Sequence, residues 1–400
     1  MNHDKLMVAL LGAAGMMGRA RQLGYASLPF YYPTIPYRPT IYKGSCLPSE
    51  CDAVRNAGIE PTTDWKALVN ETKWDVLEIA TPNELHHEMC MEALEATKKI
   101  GKKRLVIVEK PLATSFAQAK EMYELAETIP NLLCSCNFIY RHVAINAFFR
   151  NLILSGAYGP VMEFEFRYAQ SWGRNAEYSW RFGPFGGCLA DLGSHACDMA
   201  SFLTGERPTE VAAVAATYIP ERFKPAKQAA SDIRRYENNV AREREGEMVK
   251  VDVDDAARIL MKMPNGVFGT ISCTRNQCGA QNTFSYTICC RDATFKWNFD
   301  RLSEGVMVDE RTGETKTYSG STTFTADQME FPYAIFAPGH GVDYRALTAN
   351  FLYENIRAFA GLAPVSPLAT FKDAMEVERT LEATKKSIYE NRWVRLSEIN

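Results

Sequence analysis

The feature that most constrains the fold of this 400-residue chain is a glycine-rich turn directly after its first apolar segment. Residues 6–11 are all apolar and predict a buried β-strand, and Gly12, Gly15 and Gly18 follow before a predicted helix. The spacing G-x-x-G-x-x-G is one residue longer than the usual G-x-G-x-x-G pattern. Small residues in such a turn let backbone N–H groups approach a pyrophosphate at the positive end of the helix. We therefore predict a dinucleotide site that includes Gly12, Ala14, Gly15, Met16 and Met17.

The first part of the chain alternates short apolar segments with helix-forming stretches. The apolar segments predict strands at residues 6–11, 74–80, 104–108 and 132–136, and the stretches between them predict helices at 84–97 and 115–128. Strands that alternate with helices form a parallel sheet through crossover connections. We expect an α/β fold with a doubly wound parallel sheet, which is typical of a nucleotide-binding domain.

One stretch of this part departs from the alternation. Residues 27–48 contain prolines at positions 29, 33, 36, 39 and 48, which are too many for a helix interior. We therefore predict a long loop here, with the second strand near residues 40–46.

The second part of the chain has a different pattern. Strand composition recurs at residues 163–169, 210–218, 255–263, 266–274 and 282–290, and a hairpin turn signal stands at 264–266. Consecutive strands without intervening helices predict an open, mainly antiparallel sheet, and two amphipathic helices follow at 345–360 and 369–390. We divide the chain into a dinucleotide-binding domain, 1–139, and an α+β domain for substrate binding and oligomerisation, 140–400. Packing of the C-terminal helix back on the first domain is left open by the sequence.

Composition excludes several classes of function. The 45 Lys+Arg and 48 Asp+Glu leave a net charge of -3, so a nucleic-acid partner is not expected. No stretch approaches the roughly 20 apolar residues of a membrane span, and we expect a cytoplasmic protein with reduced cysteines. The 11 Cys and 6 His lack the spacing of a metal site, so we predict no metal.

The second strand bears on the choice of cofactor. In nucleotide-binding folds this strand usually ends in Asp or Glu, which bonds the ribose hydroxyls and disfavours a 2′-phosphate. Here Lys43 and Ser45 stand at that place, and both side chains are able to bind a 2′-phosphate. NAD and NADP therefore both remain open, with NAD as the first expectation and Ser45 as a candidate contact.

Two further motifs predict chemistry. Lys110 follows the predicted strand at 104–108, at the edge where parallel sheets hold ligands, and a lysine there is costly without a partner or a function. Asp191, His195 and Asp198 are spaced to share one face of a helix. Histidine is the side chain whose ordinary pKa lies nearest neutral pH, so His195 is our candidate for the base, with Lys110 as the alternative.

Five motifs in this order resemble the Gfo/Idh/MocA oxidoreductase family. They are the glycine turn, residues 80–83 with His86, residues 109–111, residues 137–141, and the segment of Asp191 and His195. The resemblance covers nearly the whole chain and is strongest to pyranoside 3-dehydrogenases. It implies a Rossmann domain, an open-sheet domain, and a cofactor and a sugar or polyol held between them.

The resemblance also implies roles for individual residues. Lys110, Asp191 and His195 are expected at the reacting carbon. Further cofactor contacts are expected at Thr81, Pro82, Asn83, His86, Glu109, Lys110, Asn137, Trp180 and Arg181. Candidate sugar contacts are Tyr140, Asn276 and His340, beside Lys110, Asp191 and His195.

The activity that follows is hydride transfer between a secondary alcohol of a pyranose, with C3 as one candidate carbon, and NAD(P). One alternative is transient oxidation of a glycoside or C-glycoside with tightly held NAD(H), which permits bond cleavage. Another is a non-catalytic NAD(P) sensor, which has no need for a base. The expected ligand is a small sugar or glycoside, and an exposed sheet face predicts a homo-dimer or homo-tetramer.

Overall fold

The computed structural model describes residues 4–174, 177–226, 245–319, 333 and 343–400. Contacts divide the chain into two compact units. The first is made of Met1–Phe138, Pro225–Glu247 and Tyr344–Met375, and the second of Ile139–Lys224, Met248–Asp343 and Glu376–Asn400. The domain boundary after residue 139 stays a prediction, and the compact units differ from it in placing Tyr344–Met375 with the first unit.

The secondary structure follows in chain order. The elements up to residue 137 are β1 (Asp4–Leu11), α1 (Met16–Tyr31), β2 (Tyr37–Ser45), α2 (Cys51–Asn56), β3 (Glu60–Thr62), α3 (Trp65–Val69), β4 (Val76–Ile79), α4 (His86–Ile100), β5 (Arg104–Glu109), α5 (Phe116–Glu127) and β6 (Leu132–Asn137). The later elements are α6 (Ala144–Leu154), β7 (Val161–Ala169), α7 (Ser194–Thr204), β8 (Glu210–Ala216), β9 (Glu221–Pro225), β10 (Gly246–Lys250), β11 (Ala256–Lys262), β12 (Phe268–Thr274), β13 (Thr283–Cys290), β14 (Ala293–Asn298), β15 (Glu304–Asp309), β16 (Glu314–Ser319), α8 (Tyr344–Phe359), α9 (Phe371–Glu390) and β17 (Val394–Arg395).

The first unit contains a six-stranded sheet in the order β3-β2-β1-β4-β5-β6, and every paired strand is parallel. β4 and β5 are buried along their whole length, as expected for central strands of a sheet covered by helices on both faces. The strand order steps outward from β1 in both directions. The predicted doubly wound parallel sheet is therefore confirmed.

The prediction of a long loop from residue 27 to a second strand near 40–46 was wrong in the extent of the loop. α1 continues to Tyr31 with Pro29 inside its last turn, and β2 begins at Tyr37 rather than at residue 40. A proline so close to the end of a helix removes one hydrogen bond without interrupting a following turn. β3 pairs only with the last residues of β2, so Pro39 lies where β2 has one described neighbour and a missing N–H costs little.

α8 belongs to the first unit because it packs against α1. The ring of Tyr32 stacks on Tyr353 with centroids 3.8 Å apart, and the Tyr32 hydroxyl bonds Asn350. The guanidinium of Arg21 lies 5.0 Å from the centre of the Phe351 ring. These contacts bury the helix that begins at the glycine turn.

The second unit contains a nine-stranded sheet in the order β16-β15-β14-β13-β7-β12-β11-β8-β17. Among the described strands of this sheet, β7 and β12 pair in parallel, and the other neighbours are antiparallel. Alternate side chains are buried, as in β13, where Phe284, Tyr286 and Ile288 point into the core. The open, mainly antiparallel sheet is confirmed, and its other face carries exposed residues.

Candidate active site

The glycine turn joins β1 to α1 and lies against β2. Gly12 has φ +79°, and a Cβ on it would lie 2.6 Å from the carbonyl oxygen of Ala80. Its N–H donates to the hydroxyl of Ser45 at 3.3 Å, and the N–H of Ala13 donates to the carbonyl of Ser45 at 2.9 Å. Gly12 is therefore required by the turn itself, and Ser45 supports it.

Gly15 is different, because nothing in the described protein requires a glycine there. It caps α1 with φ -67°, and a Cβ on it would make only ordinary contacts, with carbonyl oxygens of Gly12 at 3.4 Å and Ala80 at 3.9 Å. Among the residues that the structure describes, no side chain caps the first turn of α1, and this turn contains no acidic residue. The N–H groups at the start of a helix and the helix dipole favour an anion, so this turn suits a pyrophosphate.

The neighbouring predicted residues differ in exposure. Ala14 is buried in a cluster with Leu10, and Met17 packs against that cluster. Met16 is exposed. Met16 therefore leaves its side chain available beside the turn, whereas Ala14 and Met17 support the turn from below.

Lys43 of β2 is neutralised by two carboxylates. Its Nζ lies 2.8 Å from Glu71 and 3.0 Å from Glu60, and these hydrogen bonds raise the pKa of Lys43. Ser45 is buried and already accepts from Gly12. A 2′-phosphate beside Lys43 would meet both carboxylates, so this end of β2 fits NAD better than NADP.

Glu109, at the end of β5, belongs to a buried ionic network. Arg21 of α1 donates to Glu109 at 2.5 Å and to Glu78 at 2.9 Å, and the amide of Asn137 donates to Glu109 at 2.8 Å. Burial raises the pKa of Glu78, which also accepts from the hydroxyl of Tyr25. The amide oxygen of Asn137 is buried without a hydrogen-bond partner in the described structure. The network ties α1 to the ends of β5 and β6.

His86 connects the loop after β4 to the segment after β5. Its two ring nitrogens lie 2.9 Å from the carbonyl oxygens of Thr81 and Pro111, and its burial lowers the pKa of the imidazole. A neutral imidazole has one N–H and donates to one of these carbonyls at a time. The bond between Lys110 and Pro111 is cis. His86 thus positions the backbone next to Lys110, while Pro82 and the buried Asn83 form the turn before it.

In the second unit, Asp191 lies in a π-helical turn, Leu189–Gly193, directly before α7. Arg275 donates to its carboxylate at 3.2 Å, and the Nε of Arg181 lies 3.9 Å away. Because α7 begins only at Ser194, the predicted α-helical spacing of Asp191 and His195 does not hold for this pair. A π-helical turn contains more residues than an α-helical one and shifts the register.

Asp198 has a structural environment. It is 1% exposed, and the guanidinium of Arg141 donates to both of its carboxylate oxygens, at 2.9 Å and 2.5 Å. This arrangement is a buried bidentate ion pair. Asp198 therefore holds α7 to the segment of Arg141.

His195, in the first turn of α7, lies among aromatic rings. The ring of Tyr140 stands edge-on to it with centroids 4.8 Å apart, and Tyr168 lies at 6.0 Å. His195 is 7% exposed. The second unit thus brings a histidine, a tyrosine pair and an arginine-bound carboxylate together on the elements around α7.

Comparisons with known proteins found similarity along nearly the whole chain. Two family profiles match, "Oxidoreductase family, NAD-binding Rossmann fold" at residues 45–138 and "GFO/IDH/MocA C-terminal domain" at residues 147–296. Levoglucosan dehydrogenase of Pseudarthrobacter phenanthrenivorans is 30% identical over 407 aligned positions, 99% of this chain and 100% of that protein. The chain belongs to the Gfo/Idh/MocA family.

A solved structure and one further relative add to this similarity. A structure of levoglucosan dehydrogenase in complex with NADH and levoglucosan has a TM-score of 0.83 and 27% identity, and the match covers 98% of this chain and 100% of that one. D-glucoside 3-dehydrogenase of Escherichia coli (strain K12) is 29% identical over 149 residues, 36% of this chain and 39% of that protein. The predicted family, the oxidoreductase class and the NAD-binding Rossmann domain are confirmed.

The remaining site residues of the Gfo/Idh/MocA protein stay predictions. Trp180 and Arg181 lie in a short helical turn, and the guanidinium of Arg181 lies 4.4 Å from the centre of the Trp180 ring. Both polar atoms of the Asn276 amide are buried without a hydrogen-bond partner in the described structure. His340 lies outside the described residues.

Two absences concern the described residues alone. Within them, no group of three or more His, Cys, Asp or Glu side chains is arranged to hold a metal ion. No helix in the same part of the chain is both long enough and apolar enough to cross a bilayer.

Sequence reasoning missed two arginines that hold the predicted acids. Arg275 binds Asp191, and Arg21 binds Glu109. Both are buried. Arg21 interrupts the otherwise buried face of α1, and a charged residue on such a face is the signal that would have identified it. Arg275 directly follows β12 and carries no such signal.

Proposed function

We propose that this protein is an NAD-dependent dehydrogenase that oxidises a secondary alcohol of a pyranose sugar or glycoside, with C3 as the candidate carbon. Full-length similarity to levoglucosan dehydrogenase and partial similarity to D-glucoside 3-dehydrogenase support a sugar substrate. The balanced reaction converts the alcohol and NAD into the ketone, NADH and one proton.

The amide of Asn276 is the observation that carries the proposal for a polyhydroxy ligand. Its oxygen and nitrogen are buried, and neither has a hydrogen-bond partner in the described structure. Leaving such a group unpaired costs about 1–3 kcal/mol. An amide offers one acceptor and one donor side by side, which suits two neighbouring hydroxyl groups of a sugar. Arg275, the preceding residue, holds Asp191.

The roles of the catalytic residues follow from their chemistry. His195 accepts the proton of the reacting hydroxyl, Asp191 orients the sugar, and Lys110 stabilises charge that develops on the oxygen. When bound, NAD supplies the hydride acceptor. The turn at Gly15 holds its pyrophosphate.

The proposal also covers the oligomeric state of the protein and its location in the cell. Val214, Leu260 and Phe268 are exposed on one face of the nine-stranded sheet, as the register of β8, β11 and β12 requires. We place a subunit contact on this face, giving a dimer or tetramer, and the protein in the cytoplasm. Light scattering on the Leu260→Glu variant tests this contact, and a wild-type monomer would contradict it.

The test of the activity is absorbance at the reduced-nicotinamide band with a panel of pyranosides and free NAD or NADP. Continuous NADH formation with NAD and one class of pyranoside is expected. Reduction that stops at one equivalent per protein would instead support a transient oxidation with retained cofactor. Absence of reduction with every pyranoside would overturn the proposal.

A further inference from the structure

A chain of hydrogen bonds in the second unit leads from Trp172 to the tyrosine beside His195. We call its five members the polar chain: Trp172, Gln170, Asn282, Tyr168 and Tyr140. The indole N–H of Trp172 donates to the Gln170 amide oxygen at 2.5 Å, and the Gln170 amide nitrogen donates to the Asn282 oxygen at 2.7 Å. Tyr168 donates to the same oxygen at 2.8 Å.

The first member of the polar chain sets the orientation of its amides. An indole N–H donates and never accepts, so Gln170 must turn its oxygen toward Trp172 and its NH₂ toward Asn282. Asn282 must then present its oxygen, because two NH₂ groups facing each other would leave both without an acceptor. The reverse orientation of either amide places donor against donor. Trp172 therefore fixes the direction of Gln170 and Asn282.

The orientation of the two amides determines where the hydroxyl protons of Tyr168 and Tyr140 point. Tyr168 uses its single proton on Asn282, so Tyr140 is the donor in the 2.6 Å contact between the two tyrosine hydroxyls. The Asn282 NH₂ donates to the Tyr140 oxygen at 3.3 Å. The Tyr140 hydroxyl has thus used its proton and one lone pair. Its remaining hydrogen-bonding capacity is to accept one further bond.

We propose that the polar chain makes Tyr140 a specificity-determining acceptor, whose hydroxyl accepts a hydrogen bond from a sugar hydroxyl beside His195. This inference rests on the proposed function. The group that faces Tyr140 must be a donor, so a carbonyl, an ether or a fluorine is rejected there. Because the product ketone is not a donor, this hydroxyl is one that the reaction leaves unoxidised.

The fixed hydrogen-bond direction of the polar chain affects substrate specificity because the two tyrosine hydroxyls are buried. Tyr140 and Tyr168 are 2% and 3% exposed, so water does not relieve a mismatched contact. Burial also raises the pKa of Tyr140 to about 12, so its hydroxyl keeps its proton near neutral pH. Trp172, Gln170, Asn282 and Tyr168 are positioning residues that act through Tyr140.

The direction of the polar chain is testable without any substrate. Neutron diffraction from crystals of the deuterated protein locates the deuterium atoms of hydroxyl and amide groups. We expect the Tyr168 deuterium on the line to Asn282 and the Tyr140 deuterium on the line to Tyr168. A Tyr140 deuterium that points away from Tyr168, or an Asn282 amide in the reverse orientation, would overturn the inference.

The substrate test uses levoglucosan and its analogues with fluorine in place of one hydroxyl, with KM and kcat measured separately. At one unoxidised position we expect fluorine to raise KM of the wild type about 10- to 100-fold, the range of one lost buried hydrogen bond. Tyr140→Phe should remove this penalty. Tyr168→Phe and Trp172→Phe should reduce the fluorine penalty. The first removes the acceptor of the Tyr140 proton, and the second removes the donor that orients the two amides.

Two matched variants control for loss of a hydroxyl or an indole near Tyr140. Tyr286 donates to Asn146 and Trp297 donates to the carbonyl of Leu302, both outside the polar chain. Tyr286→Phe and Trp297→Phe should keep the fluorine penalty. A penalty that persists in Tyr140→Phe at every position, or falls equally in the controls, would overturn the inference. If no sugar is oxidised, the proposed function fails and the acceptor role with it, while the neutron map still decides the direction of the chain.

Discussion

Arg275, whose side chain is fully buried, donates to the carboxylate of Asp191 at 3.2 Å, and the same guanidinium binds the carbonyl oxygens of Arg181 and Gly187. Seven positions later, Asp198 forms its own pair with Arg141. The side chain of Asp191 is 20% exposed, whereas that of Asp198 is 1% exposed. The two acids therefore differ in environment: Asp198 is enclosed in the fold, whereas Asp191 keeps an exposed part, which our proposal assigns to the ligand.

Replacing these acids by amides should separate the two functions. Asp198→Asn leaves the charge of Arg141 buried without its partner and should cost about 3–5 kcal/mol of unfolding free energy. Asp191→Asn should lower turnover about 100-fold or more and cost clearly less stability than Asp198→Asn, because Arg275 keeps its hydrogen bonds to the carbonyl oxygens of Arg181 and Gly187. Denaturant unfolding and kcat are measured on both variants. Equal loss of stability in the two would contradict the assignment.

The glycine turn allows a similar contrast. Gly15→Ala places a methyl group where a pyrophosphate is expected and should weaken NAD binding about 10-fold with little change in Tm. Gly12→Ala meets the carbonyl oxygen of Ala80 at 2.6 Å with φ +79°, so it should instead destabilise the fold by about 2 kcal/mol or more. Calorimetric titration with NAD and thermal unfolding measure the two effects. Unchanged NAD affinity in Gly15→Ala would count against this turn as the cofactor site.

The strands of the first unit were predictable because a strand buried on both faces is an uninterrupted apolar run. β5 is an example, since all six of its residues are buried. The end of α1 was not predictable in this way. Pro29 is disfavoured in a helix interior, and only the packing of α1 against α8, through Tyr32 and Tyr353, shows why the helix continues past it.

Short motifs were enough to single out Lys110 and His195 as candidates, and their roles stay predictions. Contacts between residues that are distant in sequence were not predictable. Arg275 lies 84 residues from Asp191, and Asn282 lies 112 residues from Gln170, so their contacts depend on strand register. Local spacing also misled at Asp191, because the π-helical turn before α7 leaves no signature in the residue pattern.

The carboxylates around Lys43 should control the choice of cofactor. Glu60 and Glu71 neutralise this lysine, so the wild type should bind NAD more tightly than NADP. The double variant Glu60→Gln/Glu71→Gln removes both charges and frees Lys43 for a 2′-phosphate. The dissociation constant for NADP divided by that for NAD should fall by about 10-fold or more in the double variant. This change should be smaller at high salt. A ratio that does not change would mean that Lys43 lies away from the ribose.

Replacing either proposed catalytic residue, His195 or Lys110, should lower the reaction rate and leave cofactor binding unchanged. Lys110→Ala and His195→Ala should each lower kcat by about 100-fold or more, while the dissociation constant for NAD stays within about threefold. Steady-state kinetics and NAD titration measure this separation. Normal turnover in both variants would remove these roles from the two residues.

The histidine next to Arg141 predicts how stability depends on pH. Burial, together with the charge of Arg141, lowers the pKa of His142 to about 3 in the folded protein. In the unfolded chain a histidine has a pKa near ~6.5. Between these two values the unfolded state holds a proton that the folded state does not, so stability falls as the pH drops below about 6.5 and this contribution levels off near pH 3.

At pH 5 the effect of His142 should be about 2 kcal/mol of unfolding free energy relative to pH 7. The variant His142→Gln lacks the ionisable group and should lose about that much less between the two pH values, whatever its stability at pH 7. His87→Gln is the matched control, because His87 is a surface histidine that faces Glu121. Denaturant unfolding at both pH values gives the comparison. Parallel losses in the wild type and His142→Gln would mean that the buried imidazole accepts its proton without cost.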